Sequence, residues 1–188
     1  YMRILFALLA VLVGLAGCTK DDSPSNDTFP PELYFILENA VGESILPEIP
    51  EGKECIGLKD FQLTYELNGK RYPVYETDLE LNRHLSVCRE TQLGEDVRSI
   101  DLLTTGFTGI LCDYARKHKK EVLQVKIELA CEAAFGDKET HMFEVQMKYV
   151  GDTEEDVLHC IEEGARVDGI EAEYVGGREN QYLYRATI

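Results

Sequence analysis

The chain has 188 residues, of which 44% are hydrophobic, and it carries 19 basic and 35 acidic side chains, a formal net charge of −16. The hydrophobic content is sufficient for a folded core, and the length suits one domain or two small ones. The negative charge argues against nucleic acid and against anionic membrane surfaces as partners.

The first residues have the layout of an export signal. Arg3 precedes an apolar run from Ile4 to Ala16. At about 13 residues this run is shorter than the roughly 20 residues that a membrane-spanning helix needs. Small residues then lead to Cys18. We therefore predict a signal peptide over residues 1–17, with a plain secretory signal, in which Cys18 has no special role, as the alternative.

The residues around this cysteine resemble those of bacterial surface lipoproteins. Leu15-Ala16-Gly17-Cys18 is similar to the lipobox, in which cleavage precedes a cysteine that becomes lipidated. Thr19-Lys20-Asp21-Asp22 is similar to the acidic sorting signal of Bacteroidetes-type surface lipoproteins. The resemblance implies lipidation of Cys18 and a location at the outer membrane, exposed at the cell surface or, alternatively, facing the periplasm. It also implies a sorting signal at Lys20, Asp21 and Asp22.

A short tether follows the predicted lipid site. Residues 18–28 are rich in Asp, Ser and Asn, a composition typical of a flexible acidic linker. Because each buried CH₂ group of a lipid contributes about 0.8 kcal/mol, several acyl chains hold a soluble domain on a membrane without a spanning helix. The remaining residues, 29–188, are predicted to form a single domain.

The first part of this domain has the pattern of short strands separated by turn formers. The predicted elements are a strand over Glu32–Asn39, a loop over Gly42–Gly52, a strand over Phe61–Leu67 and a returning strand over Arg71–Tyr75. Asn68-Gly69 is the strongest short signal for a hairpin because both residues tolerate a positive φ angle. Pro73 restricts the returning strand to a sheet edge or a bulge.

The same region resembles the start of many small Bacteroidetes-type lipoproteins. The resemblance covers residues 33–75. It rests on LYFILENAVGESILP, an aromatic strand before a glycine-containing loop, and on FQLTYELNGKRYPVY, which contains a Tyr-x-Leu-Asn-Gly-Lys-x-Tyr hairpin. The functions of those proteins are mostly unassigned. The resemblance therefore implies a β fold and an envelope location, and it assigns no catalytic residue.

The middle of the chain gives weaker signals, and the structure of residues 77–120 is left open. Val97–Leu103 suits a strand, and Gly106 and Gly109 predict a turn around Phe107. Ile110–Lys120 suits either a short helix with its basic residues in the last turn or a strand that ends in a charged turn.

The later part contains the clearest pair of strands. Val125–Cys131 and Phe143–Tyr149 both alternate, which predicts an antiparallel hairpin with one buried face. Asp152–Gly164 begins with a weak capping signal, so we predict a short helix that ends at its glycine. Gln181–Ile188 predicts a terminal strand. Together the elements predict a mainly β fold, an antiparallel β-sandwich, immunoglobulin-like or similar, with one or two short helices.

The cysteines are compatible with disulfides, because an exported protein meets oxidising conditions. If Cys18 is lipidated, an odd number of cysteines remains, so at least one is free or pairs with another molecule. The pairing is left open among Cys55, Cys88, Cys112, Cys131 and Cys160. No cysteine or histidine pair has the spacing of a zinc site, and we predict no metal and no cofactor.

Histidine and acidic residues are candidates for a functional site, each with a structural alternative. His84 would serve as a general base only if a nucleophile and a carboxylate met it in space, and a satisfied surface histidine is the simpler interpretation. An acidic cluster offers oxygen ligands for Ca²⁺, but its spacing is not that of an EF-hand loop, and acids are also favoured in a first helical turn. The cluster consists of Asp152, Glu154, Glu155 and Asp156.

Basic and aromatic residues are further candidates. Arg116–Lys120 is a basic run that could attract an anionic ligand such as an acidic glycan, although such runs are more often solvated helix ends. Five tyrosines could form a platform for a sugar, although tyrosine on a strand is first a packing residue. They are Tyr72, Tyr75, Tyr174, Tyr182 and Tyr184.

The sequence contains none of the common motifs of hydrolases, nucleotide-binding proteins or metalloproteases. We therefore expect a non-catalytic binding or accessory module, for capture of a glycan or small nutrient, held on the membrane by its lipid. The alternative is a structural or adhesive subunit that adds a strand to a partner on the cell surface, for which the strand with Pro73 and the terminal strand are the candidates. A hydrolase that uses paired carboxylates is a third possibility.

Overall fold

The computed structural model describes residues 31–74, 85–91, 93, 97–150, 157–177 and 180–188, and strands in two sheets dominate it. In spatial order, the first sheet contains β12 (Glu173–Gly176), β13 (Gln181–Thr187), β1 (Glu32–Glu38), β6 (Arg98–Asp101), β5 (Ser86–Arg89) and β2 (Cys55–Gly57). The second contains β11 (Ile170–Glu171), β10 (Arg166–Val167), β8 (His141–Val150), β7 (Val122–Ala130), β3 (Gln62–Leu67) and β4 (Lys70–Val74). A further strand of that sheet, β9 (Val157–Cys160), also pairs with β8.

The two sheets bury aromatic residues between them, as alternating strands require. Phe35 on β1 is fully buried, and its ring meets that of Phe143 on β8 edge to face, with 5.1 Å between ring centroids. The Tyr184 ring on β13 stacks on the same phenylalanine at 5.4 Å. These contacts join the sheets through one apolar core, and the predicted mainly β, sandwich-type fold with short helices is confirmed.

The arrangement of the first and last strands differs from the prediction. Strands β1 and β13 are parallel neighbours, with Leu33 opposite Tyr182 and Leu37 opposite Ala186, so the sandwich is not wholly antiparallel. The last strand lies between β12 and β1. It is therefore an interior strand, and its proposed role as an unpaired edge strand is wrong. The terminal strand itself is confirmed.

The predicted hairpins are confirmed. Asn68 and Gly69 have φ angles of 47° and 84° and connect β3 to β4, which places Pro73 on a strand at the edge of the second sheet. Strands β7 and β8 pair along their whole length. Their connection contains a short helix, α2 (Glu132–Phe135), that ends at Gly136 in the left-handed conformation.

The turn predicted around Phe107 is wrong, because that residue lies inside a helix. Thr104 caps the helix α1 (Thr105–Lys117), and the buried face of α1 repeats every four residues at Phe107, Leu111 and Ala115. The Phe107 ring stacks on Tyr65 of β3, with 3.9 Å between centroids. This packing outweighs the low helix propensity of the two glycines, Gly106 and Gly109, both of which are exposed.

The helix predicted over Asp152–Gly164 is also corrected. Residues 157–160 form the strand β9, in which Leu158 and Cys160 are buried on one side and pair opposite Tyr149 and Met147. The proposed Ca²⁺ cluster falls within residues 151–156, which lie outside the described residues. Gly164 does not end a helix.

Substitution by alanine is expected to have opposite effects on stability at Gly164 and at Gly109. A Cβ atom at Gly164 would lie 2.8 Å from Cβ of Gln146, whereas at Gly109 it would meet nothing within 4 Å. We expect Gly164→Ala to lower the free energy of unfolding by about 1–3 kcal/mol and Gly109→Ala, in the interior of α1, to raise it by about 0.5–1 kcal/mol. Urea unfolding of the two variants measures both effects, and equal effects would contradict the described packing of Gly164.

Candidate ligand-binding cavity

A cavity of about 730 Å³ lies at one end of the first sheet. Its walls come from the end of β1, the loop that follows β1, and the paired ends of β5 and β6. Small-molecule sites typically have volumes of about 300–1,000 Å³. We call it the arginine cavity, after Arg89 and Arg98, which line it together with Ile36, Glu38, Ser44 and Glu48.

The loop wall is held by its own hydrogen bonds. The side-chain oxygen of Asn39 accepts from the backbone N–H groups of Val41 and Glu43, both at 3.0 Å. Gly42 lies in this turn with a φ angle of 80°, and Ser44 bridges back to Glu38. Because the Asn39 hydrogen bonds and the bridge to Glu38 both hold the turn, Ser44 has a defined position in the cavity wall.

The two arginines stand opposite each other on neighbouring strands, with Arg89 on β5 and Arg98 on β6. The Arg89 guanidinium donates to the carbonyl of Ile49, and its Nε donates to the carbonyl of Lys53 at 3.3 Å. The Arg98 guanidinium donates to the carbonyl of Ser44 at 3.3 Å. Like charges directly opposite each other in a sheet repel. The pairing of β5 with β6 nevertheless keeps these two positive charges together beside the loop.

Two buried polar atoms of the cavity lining lack partners. Nε of Arg98 and Oγ of Ser44 are inaccessible to solvent and make no hydrogen bond with the described residues. Leaving a buried polar group unsatisfied costs about 1–3 kcal/mol, so native proteins rarely do so without a reason. Because both atoms are inaccessible to solvent, a ligand acceptor would reach them only after the Arg98 or Ser44 side chain turned toward the cavity, and it would then satisfy both groups.

The other walls supply apolar surface and carboxylates. Ile36 is fully buried on the face of β1 opposite Phe35, outside the main core, and Ile49 and Val97 also line the cavity. Glu38 forms an ion pair with Arg185 at 3.3 Å. Glu43 accepts a hydrogen bond from the side-chain amide of Asn39 at 3.2 Å. Glu48 is exposed and has no ion-pair partner within the described ranges.

The basic run lies at the end of a helix, which was one of the two alternatives that the sequence left open. Arg116 forms an ion pair with Asp113 at 3.2 Å, and His118 approaches Glu121 at 3.1 Å. The Lys119 ammonium lies over the Tyr149 ring, 5.0 Å from its centroid. These contacts are those of a solvated helix end, and the run is not part of the arginine cavity.

The tyrosines do not form an exposed platform. Tyr184 and Tyr182 are buried, and Tyr72 and Tyr174 are partly buried against the core. Tyr75 lies outside the described residues, as do His84, Cys18 and the proposed sorting signal at Lys20, Asp21 and Asp22. Strand tyrosines that pack inward explain the high tyrosine content without a ligand.

The cysteines that the structure describes divide into one disulfide and three buried thiols. Cys55 and Cys88 are bonded and join β2 to β5, whereas Cys112, Cys131 and Cys160 are free. Burial raises the pKa of the Cys112 thiol, with a further contribution from Asp113 that Arg116 opposes, and burial raises the pKa of Cys160 to about 12. Such thiols stay protonated at neutral pH and are poor nucleophiles.

No group of three or more metal-binding side chains occurs among the residues that the structure describes. Neither helix in these ranges has the length and apolar character that crossing a bilayer requires.

No local pattern in the sequence predicts the arginine cavity, because its two arginines belong to different strands. The nearest indication of a site was the loop that its prolines and glycines predict, since loops on a rigid scaffold often bind ligands. In comparisons with known proteins, no family model, no curated protein and no solved structure matches this chain.

Proposed function

We propose that the protein is a lipid-anchored component of the cell envelope, displayed at the outer membrane through Cys18, with a non-catalytic binding or accessory module. The module captures a small nutrient or a glycan fragment in the arginine cavity. The anchor rests on the lipobox-like residues Leu15–Cys18, and the acidic tether gives the domain reach from the membrane.

The observation that carries the binding function is the pair of unsatisfied buried atoms, Nε of Arg98 and Oγ of Ser44. Both residues line the same cavity, whose volume suits a small molecule. A ligand that accepts from these groups would remove the cost of leaving them unsatisfied, and this gain would favour binding.

The lining favours binding over catalysis. Its described residues include no histidine, and Ser44 has no base among them as a partner, so they do not supply a supported nucleophile. Two of the three glutamates, Glu38 and Glu43, are held by other side chains. Glycoside hydrolysis needs two carboxyl groups that both act on the same bond.

The alternative of strand addition to a partner has weaker support. Its remaining candidate is the edge strand β4, which carries Lys70, Arg71 and Pro73. Charged residues and proline are the devices by which proteins prevent pairing at sheet edges.

Thermal unfolding of the full lipidated protein in detergent, against oligosaccharides, amino acids, short peptides and Ca²⁺, tests the binding function. A ligand at about 100 times its Kd stabilises the folded state by about 2.7 kcal/mol. In a domain of this size we expect the midpoint to rise by about 5–10 °C.

Arg98→Ala should abolish this shift. The matched control is Arg166→Ala, since Arg166 lies on β10 and pairs with Glu171 at 3.7 Å. A flat response across the panel would reject the binding module and favour the structural subunit.

A further inference from the structure

We infer that the arginine cavity binds a small zwitterion with an aliphatic body, namely an amino acid or a short peptide with free termini. This inference rests on the proposed function and names the ligand class for the same site. It follows from how the charges of the lining are already paired.

The carboxylate end of the ligand is assigned to Arg98 and Ser44. Within the described ranges Arg98 has no carboxylate in ion-pair distance, and its one hydrogen bond goes to a backbone carbonyl. Its Nε and the Ser44 hydroxyl make no hydrogen bond with the described residues, and both would donate once the side chains turn toward the ligand. Arg89, on the opposite strand, adds positive charge to the same wall. A guanidinium binds a carboxylate through charge-assisted hydrogen bonds, and a neighbouring hydroxyl adds a further donor.

The ammonium end is assigned to the acidic side of the cavity. Glu38 is neutralised by Arg185, and Glu43 is bound to Asn39. Glu48 has no ion-pair partner among the described residues and is exposed at the cavity. Among the described residues of the lining, Arg98 is thus a cationic side chain and Glu48 an anionic side chain without an ion-pair partner, which is the complement of a zwitterion.

The rest of the lining argues against the other ligand classes. No aromatic ring occurs among the described residues that line the cavity, so a sugar would lack the flat surface on which it usually stacks. A dianion such as phosphate would leave the exposed Glu48 carboxylate without a counterion and would be repelled by it. Ile36, Ile49 and Val97 instead provide contacts for an aliphatic side chain.

Calorimetric titration of the full lipidated protein in detergent with three matched probes tests this inference. The probes are leucine, 4-methylpentanoate, which lacks the amino group, and 3-methylbutylamine, which lacks the carboxylate; leucyl-leucine tests a longer ligand. We expect leucine or the dipeptide to bind most tightly and the amine most weakly, because a charge-assisted hydrogen bond is worth about tenfold to hundredfold in affinity.

Two variants separate the ends of the ligand. Arg98→Ala should weaken zwitterion binding at least tenfold. Glu48→Gln should weaken it about two- to fivefold, as expected for an exposed ion pair, and leave 4-methylpentanoate unaffected. Glu171→Gln, which changes an exposed glutamate outside the cavity, is the control and should change nothing.

The outcomes distinguish the inference from the proposed function. If a sugar binds in an Arg98-dependent manner and neither leucine nor the dipeptide does, the zwitterion is wrong and the binding module stands. Equal binding of the zwitterion by wild type and Arg98→Ala overturns the assignment of its carboxylate to the arginine cavity. If no compound of the thermal panel or of this titration binds, both proposals fail.

Discussion

Deletion of Gln181–Ile188 is expected to abolish cooperative unfolding altogether. This segment is the interior strand β13, which pairs with β12 on one side and with β1 on the other. Tyr182, Tyr184 and Ala186 of the strand are buried in the core. Loss of a large aromatic side chain from a core costs about 3–5 kcal/mol, and a domain of ordinary stability has about 5–15 kcal/mol in total.

The deletion should therefore leave a chain without a thermal transition by circular dichroism. The matched control removes residues 20–27 of the tether, a segment of the same length, and should keep the wild-type midpoint. A truncated protein that still unfolds cooperatively would mean that β13 is dispensable. In that case β13 would again be a candidate for a strand that is donated to a partner, since the domain would not need it.

The strands that the sequence predicted well are those whose signals are local. Alternation over Phe61–Leu67 and the Asn68-Gly69 turn define β3 and its hairpin within a few residues of chain. The β7–β8 pair is equally local. Residue pattern and turn chemistry are sufficient in such cases because the partner strand is next in sequence.

The two corrected elements depend on contacts that are distant in sequence. Phe107 belongs to a helix because its ring packs on Tyr65, and Tyr65 in turn accepts a hydrogen bond from the N–H of Thr104 at 3.0 Å and donates to the carbonyl of Leu102 at 2.7 Å. Strand β9 forms because its backbone pairs with β8. This pairing outweighs the helix-like pattern of the residues of β9. Local propensity carries no information on either partner.

The candidate site was not predictable from the sequence for a similar reason. Arg89 and Arg98 become neighbours only through the register of β5 and β6, and residues 77–94 gave no clear pattern. The significance of Ser44 depends on burial of its hydroxyl by a turn. Motif searches find residues with fixed spacing, whereas this cavity is assembled by sheet pairing and a loop.

The lipid anchor is the second feature with a large expected effect. A single acyl chain gives only marginal membrane binding, whereas two or more hold a protein stably, at about 0.8 kcal/mol for each buried CH₂ group. Removal of the acylated residue should therefore release the protein almost completely.

The most direct test is fractionation of cells that produce the wild-type protein and Cys18→Ala, with incorporation of a labelled fatty acid measured in each. Cys112→Ala, which changes a buried free thiol, is the control and should behave as wild type. We expect wild type to be labelled and to sediment with membranes, and Cys18→Ala to be unlabelled and to appear in the soluble fraction. Equal labelling and equal sedimentation of the two proteins would contradict the lipid anchor on Cys18.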